Sequence, residues 1–269
     1  MSSLSNAQYV EHNLTTLSEP GRIGLSKFQA TKVRPVTNNY VELRFGFQNY
    51  HYQVEIPYAG STLNWSIIFD LEDYGELPDF EFDDETFLPE PNVELIANEI
   101  PSWDMWDLTN PLAVTNILNE FLALYKKTQL EKLMKFSHIN KEYEDLLNKF
   151  GLSSDSIEVL IEKKPGNINY RGYDLINFLV HLPVDFKKSP YYQQEAENLG
   201  NPGEDFVYIK VQIRIRPDNE EQPRKIFLNT VSPRVQQLLE TLEFPKFSNR
   251  DSLSTYTGMV QDFIESNIK

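Results

Sequence analysis

Apolar residues fall on alternate positions in several stretches of the chain, the period of strands that bury one face. In Tyr40 to Phe47, Val41, Leu43, Phe45 and Phe47 share a side; in Tyr50 to Tyr58, Tyr52, Val54 and Ile56 do so. Ala59-Gly60-Ser61-Thr62 interrupts the pattern as a turn, and Leu63, Trp65, Ile67 and Phe69 resume it. Two alternating runs around a short glycine-containing link predict a hairpin. From Asp70 to Pro91, prolines at 78, 89 and 91 stand among acids and aromatics, so an extended loop or edge strand is expected there. Tyr74, Phe80, Phe82 and Phe87 are too apolar for a free loop and are expected to pin it against the sheet.

Helical spacing appears elsewhere. Ser5 to Leu17 predicts a short helix ended at Pro20-Gly21. Asn110-Pro111 has the form of an N-cap and first-turn proline. Beyond it, Val114, Ile117, Leu118, Phe121 and Tyr125, then Leu130, Leu133 and Phe136, then Ile139, Tyr143, Leu146, Leu147 and Phe150 predict helix in two pieces closed by Gly151. The plan then restarts. Strands are expected around Ile157–Ile161, over Tyr173 to Val184, over Phe206 to Ile215 and at Ile226–Leu228. Ser232-Pro233 predicts a further helix through Val235, Leu238, Leu239 and Leu242, and a last one starts near Asp251 or Ser252 and carries Tyr256, Val260, Phe263 and Ile264. Strands then helices, twice over, define an α+β protein of two domains, 1–150 and 151–269, each an antiparallel sheet followed by helices. No residue-level repeat accompanies the duplication.

With 269 residues, 40% hydrophobic and 13% aromatic, the chain has material for two cores. No run of about 18 apolar residues occurs, which argues against a membrane span. The start, MSSLSNAQYVEHNL, lacks the basic and apolar segments of a secretory signal, so an intracellular setting is expected. The net charge of −15 is uneven: 11 basic against 23 acidic residues over 1–150, and 14 against 17 over 151–269. Phosphate backbones repel such a surface, so nucleic acid is not an expected partner. No Lys or Arg occurs from Phe45 to Tyr125.

The chemistry is sparse. Cysteine is absent, which removes disulfides, thiolate metal sites and any Cys nucleophile. His12, His51, His138 and His181 have no metal-ligand spacing, and no phosphate-cradling, dinucleotide or nucleophile-elbow motif is present. No catalytic, cofactor-binding or metal-binding residue is therefore expected, and no cofactor. Asp83 and Asp84 could form an acid–base pair but lie in a run that also fits a solvated face. The 14 Asp and Glu from Asp70 to Asp107 fit a soluble sheet edge or a docking face for a basic partner. Trp103 and Trp106 fit a packing lid over the helices or an exposed anchor. In Ile209 to Pro217, Ile209, Val211, Ile213 and Ile215 share one face while Lys210, Gln212, Arg214 and Arg216 share the other, either a solvated face or a cationic patch for an acidic partner.

The segment IPYAGSTLNWSIIFDLEDYGELPDFEF resembles the sheet of ubiquitin-conjugating enzymes, with Pro57, Tyr58, Trp65, Tyr74, Pro78 and Phe80 matching its outline. With FLPEP, FLVHLPVDF and NPGEDF, it is more closely similar to the BRE (brain and reproductive organ-expressed) family, most clearly over residues 40–91 and 175–206. The first 35 residues match weakly, and the chain ends before a further C-terminal domain expected of that family. The resemblance implies tandem ubiquitin-conjugating-enzyme-variant (UEV/RWD) folds without catalysis. It implies a scaffold role in BRISC and ARISC deubiquitinase assemblies, which trim non-degradative ubiquitin chains in cytoplasm and nucleus and bear on DNA repair. The implied partners are a JAMM-type deubiquitinase, an Abraxas-type MPN subunit and a MERIT-type von Willebrand A-like subunit, with ubiquitin as a weak ligand. The alternative is a free-standing ubiquitin-binding UEV that assists a conjugating enzyme. Because conjugation passes ubiquitin through a cysteine thioester, a chain without cysteine cannot perform that step.

Overall fold

In the computed structural model, residues 5–25, 29–36, 51–70, 73, 75–90, 93–166, 172–183, 206–216, 221, 223–230, 241, 243–248 and 251–267 are described. The hairpin forms as the alternation requires. Strand β2, His51–Tyr58, pairs antiparallel with β3, Ser61–Ile68, placing Val54 opposite Trp65 and Ile56 opposite Leu63. The link is only Ala59-Gly60, both left-handed at φ 48° and 67°, the twist a two-residue hairpin needs. β1, Lys32–Pro35, adds to β2, and β4, Asp79–Glu81, adds to β3, giving a four-stranded antiparallel meander. β4 is the edge strand expected within the proline-rich segment. β1 was not expected from the sequence. The strand expected at Tyr40 to Phe47 and residue Tyr74 lie outside the described residues.

Helix α1, Asn6–Leu17, starts with a capping box: the Ser5 side chain accepts from the Gln8 N–H, and the Gln8 side chain returns a bond to the Ser5 N–H. Two short helices, α2 (Val93–Glu99) and α3 (Pro101–Asp104), follow the meander. Next comes α4, Ala113–Leu133. The Asn110 side chain accepts the Leu112 N–H at 3.0 Å, so the Asn-Pro pair forms the turn that leads into this helix, which starts two residues after Pro111. Val10, Leu14 and Leu17 of α1 and Ile117, Leu118, Phe121 and Tyr125 of α4 are buried, as is the apolar face of the hairpin. Asn13, fully buried, joins α1 to the entry of α4. Its Nδ2 donates to Leu108 O at 3.0 Å and to Tyr9 O at 3.1 Å, and its Oδ1 accepts the Val114 N–H at 3.3 Å. Replacing it by Leu strands a buried carbonyl and a buried N–H, so Asn13→Leu is expected to lower unfolding free energy by about 2–4 kcal/mol, measured by urea denaturation.

The second sheet is another antiparallel meander: β5 (Ile157–Lys164), β6 (Tyr173–Pro183), β7 (Phe206–Ile215) and β8 (Lys225–Thr230). Helix α5, Ser137–Asn148, precedes it, and Gly151, at φ 78°, turns the chain so that the Leu152 N–H reaches Leu146 O at 3.2 Å. Helix α6, Leu253–Asn267, is the expected last helix, whereas the one expected from Ser232 lies outside the described residues. Ile157, Val159, Ile176, Phe178, Val180, Ile209, Val211 and Ile213 form one core with Leu133, Ile139, Tyr143 and Leu146, and with Leu253, Tyr256, Val260 and Ile264 of α6.

The chain parts into two compact units, Met1–Thr128 and Gln129–Lys269. The division falls inside α4 rather than at Gly151, because the end of α4 and the whole of α5 bury their apolar stripes in the second core. The Gln129 side chain, fully buried, accepts the Ile161 N–H at 2.9 Å and so fastens this end of α4 to β5. No helix among the described residues is long and apolar enough to cross a membrane.

Candidate functional site

The acidic segment after the hairpin folds around a cavity of about 640 Å³ in the first unit, a size usual for a ligand-holding cleft. Its floor is aromatic. β4 brings Phe80, the following loop Phe82 and Phe87, α3 Trp103 and α4 Phe121. The rings interlock: Phe82 lies 4.8 Å from Phe87 and 5.1 Å from Phe121, and Phe80 lies 5.1 Å from Phe121. Behind them Trp65 of β3, fully buried, meets Phe82 edge-on at 4.9 Å and stacks on Phe87 at 6.2 Å. Phe80, Phe82 and Phe87 therefore do pin the acidic segment to the sheet, as their apolarity required. Val93, Ile96 and Ala97 of α2 form another wall. Leu88 turns the chain at φ 50° just before Pro89, a conformation costly for a side chain that the packed rings hold in place.

Asp79, Glu81, Asp84, Glu85 and Asp104 also line the cavity. Asp83 and Asp84 have structural tasks. Asp83 Oδ2 accepts the Asn64 N–H at 2.7 Å. Partial burial pushes its carboxyl above the ordinary value, and the adjacent Asp84 charge adds to this against the hydrogen bonds from Asn64. Asp84 accepts the Thr86 N–H at 3.0 Å, the Thr86 hydroxyl at 2.6 Å and the Tyr125 hydroxyl at 3.2 Å. The two carboxyls thus anchor the loop to β3 and α4. Trp103 is half-buried, 6.2 Å edge-on to Phe121, and Trp106 is half-buried with Nε1 donating to Gly75 O at 2.8 Å. Asp84 and Trp103 share the cavity wall, while Asp83 and Trp106 brace the segments beside it.

Lys210 and Arg214 lie on β7 of the second unit, on the face opposite Ile209, Val211, Ile213 and Ile215, which are buried, and Arg216 follows directly after the strand. Arg214 and Arg216 are exposed and Lys210 half-buried. The Arg214 guanidinium lies 5.4 Å from the Tyr173 ring centre. Beside it a polar ladder crosses the sheet: Gln212 Nε2 donates to Asn177 Oδ1 at 3.0 Å, Asn177 Nδ2 to Glu162 at 3.2 Å, and Lys164 to Glu162 at 2.7 Å. Asn177 itself is buried, so this face is wet only in part. Among the described residues, no three His, Asp or Glu side chains gather to hold a metal ion.

The chain is thus an α+β protein with two four-stranded antiparallel meanders and, in its first unit, a cleft that is aromatic within and acidic at the rim. Residues 6–269 match the model of the family described as brain and reproductive organ-expressed protein (BRE), and the chain belongs to that family. The match includes the N-terminal helix, where no family string was visible. Among curated relatives, a zebrafish (Danio rerio) protein named BRISC and BRCA1-A complex member 2 is 28% identical over 260 residues, covering 95% of this chain and 64% of its own length. The lancelet (Branchiostoma floridae) protein of the same name is 28% identical over 222 residues, covering 81% of this chain and 53% of its own. The chain thus spans under two thirds of these relatives. Both are named as members of complexes.

Proposed function

We propose that this chain is a non-catalytic scaffold subunit of a BRISC or BRCA1-A type assembly, working in cytoplasm and nucleus. In this reading its two meanders are UEV/RWD-type units that hold a JAMM-type deubiquitinase together with an Abraxas-type MPN subunit and a MERIT-type von Willebrand A-like subunit. The assembly would trim non-degradative ubiquitin chains, with weak ubiquitin binding as a secondary contact. The observation that carries the reading is the family match over residues 6–269, together with relatives named for those complexes. The absence of cysteine supports it, since a UEV without a thiol can grip neighbours but cannot carry ubiquitin as a thioester.

Two experiments test it. Tagged chain recovered from cell extract should bring down a JAMM-type deubiquitinase; recovery of a conjugating enzyme instead would favour a free-standing UEV cofactor. Incubated with activating enzyme, ATP and ubiquitin, the chain should form no reducible adduct, and the appearance of one on a non-reducing gel would refute the non-catalytic assignment.

A further inference from the structure

Four carboxylates around the cavity have no internal task. Asp79, Glu81, Glu85 and Asp104 are exposed, and among the described residues none forms an ion pair or accepts a hydrogen bond. Their neighbours in sequence differ. Asp73 accepts the Gly75 N–H at 2.8 Å, Asp107 the Thr109 N–H at 2.9 Å and Glu120 the Ser102 N–H at 3.0 Å, while Glu99 pairs with Lys127. Like charges gathered around an aromatic mouth build a negative potential that a cation would relieve. The chain supplies none from nearby sequence, because no Lys or Arg occurs between Phe45 and Tyr125.

Apolar surface is also left bare at this place. Val93 lines the cavity while 83% exposed. Apolar groups left open within a charged rim mark a surface made to be covered. A small cation inside the cavity would leave this side chain in water, whereas an extended segment crossing the mouth would cover it.

We infer that the cavity receives a basic linear segment of a partner protein. An aromatic or long aliphatic side chain enters over Phe80, Phe82 and Phe121, and flanking Lys or Arg residues pair with Asp79, Glu81, Glu85 and Asp104. The buried ring supplies the holding energy, while the charges speed encounter and select the partner. This holds whichever assembly the chain serves, so it stands or falls separately from the scaffold reading.

Fluorescence anisotropy of the full chain with three labelled octapeptides tests it. The first, KRKFLKRK, carries both features; KRKGSKRK lacks the anchor, and EDEFLEDE reverses the charge. The first should bind roughly tenfold tighter than either other, and weaken as salt rises from about 50 to 300 mM. The combined variant Asp79→Asn, Glu81→Gln, Glu85→Gln, Asp104→Asn should lose most of that affinity while its melting temperature holds, since these carboxylates bond to nothing among the described residues. Ala97→Trp, which fills the mouth from an exposed helix position, should weaken KRKFLKRK with the rim charges intact. Equal binding of KRKGSKRK would reduce the effect to bare charge and overturn the inference. So would failure of KRKFLKRK to bind at about 1 mM, or a chain that self-associates through this mouth until Ala97→Trp makes it monomeric.

Discussion

Trp65→Ala is expected to destabilise the first unit by about 3–5 kcal/mol, the range for deleting a large buried aromatic side chain. Trp65 is fully buried on β3 and contacts three rings: Phe82 at 4.9 Å, Tyr125 at 5.9 Å and Phe87 at 6.2 Å. It therefore holds β3, the acidic loop and α4 together from behind the cavity. Total stabilities are of order 5–15 kcal/mol, so the loss would leave the unit marginal. Amide exchange should quicken first over residues 51–68 and 80–88, with β5 to β7 protected as before. Trp65→Phe gives the sharper test. The indole Nε1 is buried without a hydrogen-bond partner among the described residues, so Phe forfeits ring volume and no hydrogen bond. That substitution should cost under about 2 kcal/mol, and a loss as large as that of Ala would mean that the N–H has a partner. Because the cavity floor is laid on Trp65, Trp65→Ala should also abolish binding of the anchored basic peptide.

The hairpin at the base of this packing was readable because two signals coincide: uninterrupted period-two alternation, and a link short enough to admit one geometry. The second meander was readable from alternation alone, Ile209, Val211, Ile213 and Ile215 being buried as it required. Other elements carried no such signal. β1 is four residues, KVRP, with a proline and no apolar face, and it exists because the edge of β2 can accept it. Helix α2 buries only Ile96, so its period could not show. The helical stripe from Val114 to Phe150 was plain, but a stripe does not say which sheet it faces. Only packing reveals that Leu133, Ile139 and Tyr143 serve the second core. The cavity was half legible. The unbroken run of carboxylates announced its rim. Its floor joins rings from β4, the loop, α3 and α4, which sequence separation hides until the chain folds.

Arg224→Ala is expected to cost about 3–5 kcal/mol in the second unit, because it leaves carboxylates facing a cation that is gone. The Arg224 side chain is 9% exposed and lies just before β8. Its Nη1 and Nη2 each donate to Glu142 of α5 at 2.6 Å, a bidentate pair, and its Nε donates to Glu221 at 2.5 Å. Glu142 also accepts the Leu253 N–H at 3.1 Å, so one carboxylate joins α5, the entry of β8 and the start of α6. The Phe247 ring, centred 5.6 Å from the guanidinium, closes the site. Burial alone would lower the affinity of Arg224 for its proton, but the bonds to Glu142 and Glu221 outweigh this and raise it. Burial likewise acts to raise Glu221, and the Arg224 hydrogen bond and charge, with His138 at 3.1 Å, reverse the sign and hold it below its ordinary 4.5. A carboxylate lowered in the folded state contributes stability that is full above its unfolded value and is lost as pH falls through the folded one. The wild-type chain should therefore lose stability below about pH 4.5 more steeply than Arg224→Met, in which Glu221 keeps only its contact with His138. The double variant Arg224→Met, Glu142→Gln should be more stable than Arg224→Met alone, since it removes the stranded charge with its partner. Urea denaturation at pH 7 and pH 4 measures both effects. Parallel pH profiles, or a double variant no better than the single, would show that these groups do not act as one buried network.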